Sequence, residues 1–256
     1  MEILKTKRLK NDQFYPLSQN KDQIFWHHTA GLSADGAINW WNQTPDHVGT
    51  AYVIDRDGKV YETFDPKCWG YHLGVKGDDD QIEKKSIGIE IVSGGQLYKD
   101  NDNFFFFPLY PNKAGFKQID PKEVWEMEDE WRGFKYYHSY TDAQIESLIA
   151  LTKQLIVDFK IKVQENFEGI EFYNFNGNIY KQHLQGIWSH SSVRNDKNDI
   201  VPYKPFLEKI YQAFGSPKPV IEENKEKENE VPKVDEVKVP ILAPKNSNKF
   251  SRKKEG

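Results

Sequence analysis

The first strong hydrophobic pattern in this chain is a short apolar run at residues 24–26, which predicts a buried β-strand. His27 and His28 end the run, and Gly31 interrupts the pattern shortly afterwards. Because successive strand residues point to opposite faces, only one of the two histidines can face a given site. The pattern therefore predicts a strand that delivers one histidine to a site, while the other packs or bonds elsewhere.

Two further regions have strand character. Residues 48–62 contain two β-rich runs on either side of Asp57-Gly58, a pair that favours a hairpin turn. Residues 86–92 form an apolar run interrupted by one carboxylate, Glu90. A buried glutamate is unfavourable unless it is paired or takes part in chemistry. The alternative is an edge strand with Glu90 facing water, and the β-branched neighbours make that alternative the weaker one.

Three segments repeat apolar residues at helical spacing. Residues 33–42 begin with a serine that can cap a helix, and residues 202–214 form another candidate. Thr141 and Gln144 have the spacing of a capping box, and an amphipathic pattern follows over residues 145–159. The strands and helices together predict an α/β fold, with a single mixed central β-sheet flanked by helices.

The remaining regions suggest how the chain is organised. We predict one domain over residues 1–215, with an insertion at about residues 94–140 that is expected to be mostly irregular loops. From residue 216 the composition changes to Lys, Glu, Pro and Asn, which predicts a disordered tail over residues 216–256. Residues 231–244 of this tail could dock on a protein partner, although a linker is the simpler interpretation.

Composition and charge limit the possible functions. The net charge of −4 over 256 residues gives no electrostatic case for a nucleic-acid partner. Cys68 is the single cysteine, so no intrachain disulfide is possible and the chain suits a reducing compartment. No apolar stretch is long enough to span a membrane, and residues 1–10 have no signal-type core. We therefore expect synthesis in the cytoplasm without a signal peptide, and release by another agent if the substrate lies outside.

A polar loop at residues 188–199 contains the chemistry most typical of a metal site. It holds His190 and Asp199, and His27 offers a third ligand from the first strand. Zinc takes neutral imidazole and carboxylate ligands, and a catalytic site keeps three protein ligands and one open position. A histidine near an aspartate in a loop is more often an ordinary surface pair. The two segments become informative only when they are considered together.

Several blocks of the sequence resemble the zinc-dependent N-acetylmuramoyl-L-alanine amidases. This group includes the AmpD-type recycling amidases, the amidase endolysins of phages and the animal peptidoglycan-recognition proteins. The resemblance covers residues 24–214 in the order of the family. Five short blocks carry it, at residues 24–31, 48–62, 69–74, 86–92 and 189–199.

The resemblance implies a role for particular residues. The zinc ligands of the family correspond to His27, His190 and Asp199. In AmpD-type members a glutamate in the strand at residues 86–92 and a lysine two residues before the last ligand assist catalysis. These positions are Glu90 and Lys197.

One departure from the family concerns the last ligand. The loop that follows the late histidine lacks the Pro-Gly residues common in the family and is one residue shorter than in the AmpD type. Asp196 is therefore a rival to Asp199 as the third ligand. Asp199 is the preferred ligand because it leaves Lys197 in the place that the family gives its lysine.

A second departure concerns the hairpin. Some phage members have a catalytic tyrosine where this chain has Thr50, so that variant of the mechanism is not expected here. Tyr71 and His72 lie in a loop with glycines on both sides, which suits contacts to a sugar or a peptide, although a loop histidine is usually solvated. We predict Thr50, Tyr71 and His72 as substrate-binding residues.

The implied activity is hydrolysis of the amide bond between N-acetylmuramic acid and L-alanine in peptidoglycan or muropeptides by a zinc-activated water. Glu90 would accept the proton of that water, and Lys197 would stabilise the oxyanion. One alternative is a catalytically silent module that binds the cell wall. Another is a structural protein of a virion or other assembly, docked through the insertion and the tail. All three ligand positions carry competent side chains, which favours an enzyme.

Overall fold

The structure is a computed structural model that describes residues 1–106, 117–164 and 172–215. A short 3-10 helix at Pro121–Glu123 accompanies the main elements. The strands are β1 (Ile3–Leu4), β2 (Gln23–His28), β3 (Tyr52–Ile54), β4 (Val60–Glu62), β5 (Ser86–Ile91), β6 (Gln96–Asp100), β7 (Asn103–Phe106), β8 (Lys117–Ile119), β9 (Val124–Trp131), β10 (Phe134–His138) and β11 (Gly186–Ser189). The helices are α1 (Ala34–Trp41), α2 (Gln81–Lys85), α3 (Asp142–Phe159), α4 (Asn178–Lys181), α5 (His190–Val193) and α6 (Lys204–Phe214).

A mixed six-stranded sheet forms the centre of the fold, in the order β1-β4-β3-β5-β2-β11. Neighbouring strands run parallel except for the antiparallel pair β3 and β4. Parallel strands covered on both faces are expected to be continuously apolar, and all six residues of β2 are buried. The predicted α/β class with a mixed central sheet is confirmed.

Alternation along β2 separates the two histidines. Trp26 belongs to the main core, and its indole Nε1–H donates to Thr152 Oγ1 of α3 at 3.2 Å. Phe25 belongs to a second apolar cluster on the opposite face of the sheet. His27 shares the face of Phe25, whereas His28 shares the face of Trp26. One strand therefore contributes one histidine to each face, as the pattern predicts.

The hairpin and the three predicted helices are confirmed. β3 and β4 pair as an antiparallel hairpin. Ser33 caps α1, because its Oγ accepts the backbone N–H of Gly36 at 3.1 Å. At the start of α3 the Gln144 N–H donates to Thr141 Oγ1 at 3.1 Å, and the Thr141 N–H donates to Gln144 Oε1 at 3.0 Å. This reciprocal pair is the capping box that the sequence predicts.

The expectation of irregular loops at residues 94–140 is wrong. The described part of this region forms a five-stranded antiparallel sheet in the order β8-β7-β6-β10-β9. Its longest strand, β9, exposes Glu126 and Glu128 and turns Trp125 and Met127 inward. Such a strand is apolar on one face only, so it lacks the continuous apolar run that marks a strand of the central sheet.

Two further predictions concern the C-terminal tail and membrane-spanning segments. The proposed disordered tail at residues 216–256, with its possible docking segment at 231–244, lies outside the described residues. Among the helices of the described ranges, none combines the length and the apolar character needed to cross a bilayer.

The capping box yields a prediction about stability. Replacing Thr141 by alanine removes the acceptor for the Gln144 N–H and also the donor to the Arg56 carbonyl. We expect the free energy of unfolding to fall by about 1–2 kcal/mol in urea titrations. Gln154→Ala on the exposed face of the same helix is the control, with an expected change below roughly 0.5 kcal/mol. Equal losses in the two variants would contradict the capping role.

Candidate metal centre

The carboxyl ends of three parallel strands meet at one edge of the central sheet. His27 of β2 is the direct partner of Glu90 of β5, so their side chains share a face. Trp26 pairs with Ser189 of β11, and His190 follows immediately as the first residue of α5. Ligand and catalytic residues of parallel sheets commonly collect at this edge. Strand pairing therefore brings distant parts of the chain to one place.

Three potential ligand atoms converge there. The two Nδ1 atoms of His27 and His190 are 3.0 Å apart. Asp199 Oδ2 lies 3.2 Å from His27 Nδ1 and 3.0 Å from His190 Nδ1. Ligand atoms around a tetrahedral zinc are separated by roughly 3.3–3.5 Å, so only a small expansion would accommodate an ion. All three residues are buried. The group can hold a metal.

The charge states of these residues suit a divalent cation. Burial, followed by the proximity of His190, lowers the pKa of His27 to about 4. Burial alone would raise the pKa of Asp199, but the neighbouring His190 and the hydrogen bonds from both histidines hold that pKa well below its usual range. At neutral pH the site therefore offers a neutral imidazole at His27 and an ionised carboxylate.

Hydrogen bonds on the far side of each ring direct Nδ1 toward the centre. His190 Nε2 lies 3.0 Å from the carbonyl oxygen of Leu73, which can only accept, so Nε2 donates this hydrogen bond. His27 Nε2 lies 2.9 Å from His72 Nδ1, and His72 Nε2 lies 2.8 Å from Ser86 Oγ. When a metal replaces the protons that the two Nδ1 atoms share with Asp199, each Nδ1 can present a lone pair to the centre while Nε2 keeps its outer contact. Metal-binding histidines are commonly oriented in this way.

The two aspartates at the end of the loop point in different directions. Asp199 faces the histidines and is 6 % exposed. Asp196 is exposed and accepts the Arg194 Nε–H at 2.8 Å, and this hydrogen bond lowers the pKa of Asp196 to about 2. The geometry thus brings Asp199, rather than Asp196, to the histidines.

Comparison with known proteins identifies the family. A family profile described as N-acetylmuramoyl-L-alanine amidase matches residues 18–203, a range that contains every residue of the centre. The chain belongs to this amidase family.

Several solved structures are similar to this amidase-family chain. They include PlyL, at 14 % identity and a TM-score of 0.46, with 82 % of this chain and 97 % of that chain covered. The endolysin amidase LysCS from Clostridium intestinale has 16 % identity and a TM-score of 0.44, with 84 % and 97 % covered. The amidase AmiD from E. coli has 17 % identity and a TM-score of 0.48, with 83 % of this chain and 63 % of that chain covered. No curated protein matches the chain.

The two predicted catalytic residues lie beside the centre. Glu90 is on the central strand β5, so the edge-strand alternative is wrong. Its Oε2 is buried and has no hydrogen-bond partner within residues 1–106, 117–164 and 172–215, and burial, followed by the charge of Asp199, raises the pKa of Glu90 well above its usual value. Lys197 is half-buried on the loop, and its charge opposes that rise. The two side chains are therefore close enough to influence each other electrostatically.

The three predicted substrate-binding residues make internal contacts. The His72 side chain is only 5 % exposed, which excludes a solvated loop histidine. Thr50 is buried, and its Oγ1 donates to the carbonyl of Tyr52 at 2.9 Å. The Tyr71 hydroxyl donates to Asp80 at 3.2 Å. Direct contact of these residues with a substrate stays a prediction.

Sequence reasoning missed Glu83, a buried residue of α2. Its carboxylate accepts the backbone N–H groups of three consecutive residues, at 3.0 Å from His72, 3.1 Å from Leu73 and 2.7 Å from Gly74. Burial raises the pKa of Glu83 to about 7, and these donors counteract the rise. The carboxylate thereby fixes both the ring that contacts His27 and the carbonyl that accepts from His190. The charged residues around Glu83 are typical of a solvated helix, so no feature of the sequence marks this glutamate as buried.

The aspartate assignment can be tested directly. Asp199→Ala should lose tight zinc binding, because it removes the one carboxylate in the described part of the chain that contacts both histidines. Asp196→Ala should keep wild-type zinc affinity, since its partner is Arg194. Titration with a zinc-sensitive chelator measures both dissociation constants. Retention of zinc by Asp199→Ala together with its loss from Asp196→Ala would reverse the assignment.

A second test concerns Glu83. Glu83→Gln retains the shape of the side chain but replaces one acceptor oxygen with a donor, which conflicts with the backbone N–H groups of residues 72–74. We expect zinc affinity to fall roughly 10- to 100-fold, as for other residues that orient metal ligands. Glu62→Gln is the matched control, because Glu62 is also buried but pairs with Arg8 away from the centre. An equal loss of affinity in the two variants would show a general loss of stability instead.

Proposed function

We propose that this family member is a zinc-dependent hydrolase that cleaves the amide bond between N-acetylmuramic acid and L-alanine. The observation that carries the proposal is the convergence of His27, His190 and Asp199 beside Glu90 within the matched range. Three protein ligands leave one tetrahedral position for water or substrate, which is typical of catalytic zinc sites.

The donor set supports zinc in particular. Two imidazole nitrogens and one carboxylate oxygen, all within 3.2 Å of one another, form a compact site for a borderline cation. Larger oxygen-seeking cations such as calcium take six to eight oxygen ligands and fit this set poorly. When bound, zinc would polarise the scissile carbonyl and lower the pKa of an attacking water to roughly 7.

Glu90 is proposed as the general base and acid. It accepts a proton from the attacking water and returns it to the departing amine of L-alanine. A carboxylate with a raised pKa suits both transfers, because its pKa is closer to neutral pH than that of an ordinary carboxylate. The buried Oε2 has no hydrogen-bond partner among the described residues, so hydrogen bonding to water or substrate does not have to displace a contact within that part of the chain.

Lys197 is proposed to stabilise the negative charge that develops on the carbonyl oxygen. Its ammonium group is a donor with a fixed positive charge, and the loop places it two residues before Asp199. Because Lys197 is half-buried, its charge is less screened than that of a fully exposed lysine.

The biological setting of the reaction is a separate part of the proposal. A chain that acts on the intact cell wall after release would cleave cross-linked peptidoglycan, whereas a recycling enzyme would prefer soluble muropeptides. We favour the intact wall, because the additional antiparallel sheet enlarges the domain beside the metal centre and offers more surface to a polymeric substrate. Assays with both substrates distinguish the two settings.

The decisive experiment is digestion of purified peptidoglycan by the zinc-loaded protein. New alanine amino termini should appear without new reducing sugar ends, and a chelator should abolish them. Glu90→Gln should keep zinc bound and lower the turnover number at least about 100-fold, because general acid–base catalysis typically contributes that much. Glu146→Gln, at an exposed position of α3, is the matched control and should retain wild-type activity.

Other outcomes would point to a different function. Sedimentation with the wall without new termini would indicate a binding module that has kept the fold. Reducing ends in place of alanine termini would mean that a glycosidic bond is cleaved. Full activity of Glu90→Gln would remove Glu90 from the mechanism.

A further inference from the structure

The turn between β9 and β10 lies against the loop that links two of the proposed zinc ligands. We define the clamp as Trp131, the last residue of β9, together with Arg132 of the turn that follows, and the ligand loop as residues 191–198, between His190 and Asp199. The clamp belongs to the additional antiparallel sheet. None of the residues predicted as metal ligands, catalytic residues or substrate-binding residues lies in this sheet.

Both clamp residues bind backbone carbonyls of the ligand loop. The Trp131 indole Nε1–H donates to the carbonyl of Asn198 at 3.2 Å. Arg132 Nη1 donates to the carbonyl of Asn195 at 2.6 Å, and its Nη2 lies 3.5 Å from the carbonyl of Ser191. Hydrogen bonds to backbone fix the course of a loop more strictly than contacts to side chains that can rotate. The bonded carbonyls lie on both sides of Lys197.

The clamp is itself held in place. The ring of Trp131 packs edge-on against Tyr173, with 5.3 Å between ring centroids. The Tyr137 hydroxyl donates to the carbonyl of Trp131, and the Arg132 guanidinium lies 4.9 Å from the centroid of the Trp131 ring. A donor on a fixed support restrains its acceptor more effectively than a mobile donor does.

A further contact joins the same two parts of the structure. Asn198 Nδ2 donates to Gln96 Oε1 of β6 at 2.7 Å, so a second strand of the additional sheet also contacts the ligand loop. The loop closes on itself at its base, where the Ser191 N–H donates to the Asp199 carbonyl at 2.8 Å. Asp199 thus has support of its own, whereas the segment around Lys197 is held by one bond inside the loop, from the Lys197 N–H to the Arg194 carbonyl at 3.3 Å, and by the contacts from the additional sheet.

We infer that Trp131 and Arg132 are positioning residues, which hold Lys197 at the metal centre by fixing the backbone of residues 195–198. This inference rests on the proposed function for the role of Lys197. It assigns the additional sheet a task in catalysis that neither the central sheet nor the metal ligands perform. The effect is expected on turnover more than on zinc affinity.

The test combines hydrogen exchange with kinetics on the full chain. Trp131→Phe keeps an aromatic ring and removes the indole donor, and Arg132→Ala removes the guanidinium. Amide exchange at Arg194 and Lys197, whose N–H groups donate to the carbonyls of His190 and Arg194, should accelerate roughly 3- to 10-fold when the loop loses its support, with little change in α3. In the double variant the turnover number should fall roughly 10-fold or more, and the zinc dissociation constant should change less than about 3-fold.

Two controls make the result specific. Lys135→Ala alters the same hairpin, where Lys135 Nζ donates to the Glu128 carbonyl, and should leave both exchange and turnover unchanged. Arg132→Lys keeps a cationic donor and should recover part of the protection lost in Arg132→Ala. Wild-type exchange in the double variant would overturn the inference, as would equal acceleration throughout α3.

The exchange measurement also separates this inference from the proposed function. If the wild-type protein neither binds zinc nor releases alanine termini, the proposed function fails, yet local loss of protection at Arg194 and Lys197 would still establish the clamp as a structural support. If the wild-type protein is active and the double variant keeps its turnover, the catalytic role of the clamp fails alone.

Discussion

Parallel pairing of β11, β2 and β5 is the constraint on which the metal centre depends. His27 and His190 are 163 positions apart in the chain, and the pairing of β11 with β2 places their Nδ1 atoms 3.0 Å from each other. Glu90 comes to the same edge because it pairs with His27. A shift of one residue in either register would turn the side chains to the opposite face. The buried apolar residues on both faces of β2 make such a shift unfavourable.

Burial imposes a second constraint, because the buried polar groups of the centre need hydrogen-bond partners or a bound cation. An ionised carboxylate and two imidazoles in a dry environment are unstable unless hydrogen bonds or a cation compensate for lost hydration. The loop at residues 72–74 supplies part of that compensation through the Leu73 carbonyl and the His72 ring. The Glu83 carboxylate fixes this loop by accepting hydrogen bonds from the backbone N–H groups of His72 and Gly74. The proposed zinc would supply the remainder by neutralising the negative charge of Asp199.

Much of the central fold could be predicted from sequence, because its signals are local. The capping box at Thr141 and the Asp57-Gly58 turn each need only a few neighbouring residues. The grouping of His27 with His190 needed the family resemblance as well, since nothing local connects them. The second sheet was missed because its longest strand, β9, is apolar on one face only, and because the sheet depends on pairing between distant segments. Glu83 was missed because its partners are backbone N–H groups, which the sequence does not display.

The two faces of strand β5 have different roles, since one packs in the main core and the other faces the metal centre. Ile87, Ile89 and Ile91 belong to the main core on one face, whereas Gly88 and Glu90 lie on the other. A Cβ at Gly88 would lie 2.7 Å from Thr50 Cγ2 and 3.0 Å from His72 Nδ1, so this face has no spare volume. Protein engineers could therefore repack the isoleucine face for heat tolerance without replacing a reactive group, whereas any side chain at Gly88 would force Thr50 to move and would press against the ring that supports His27.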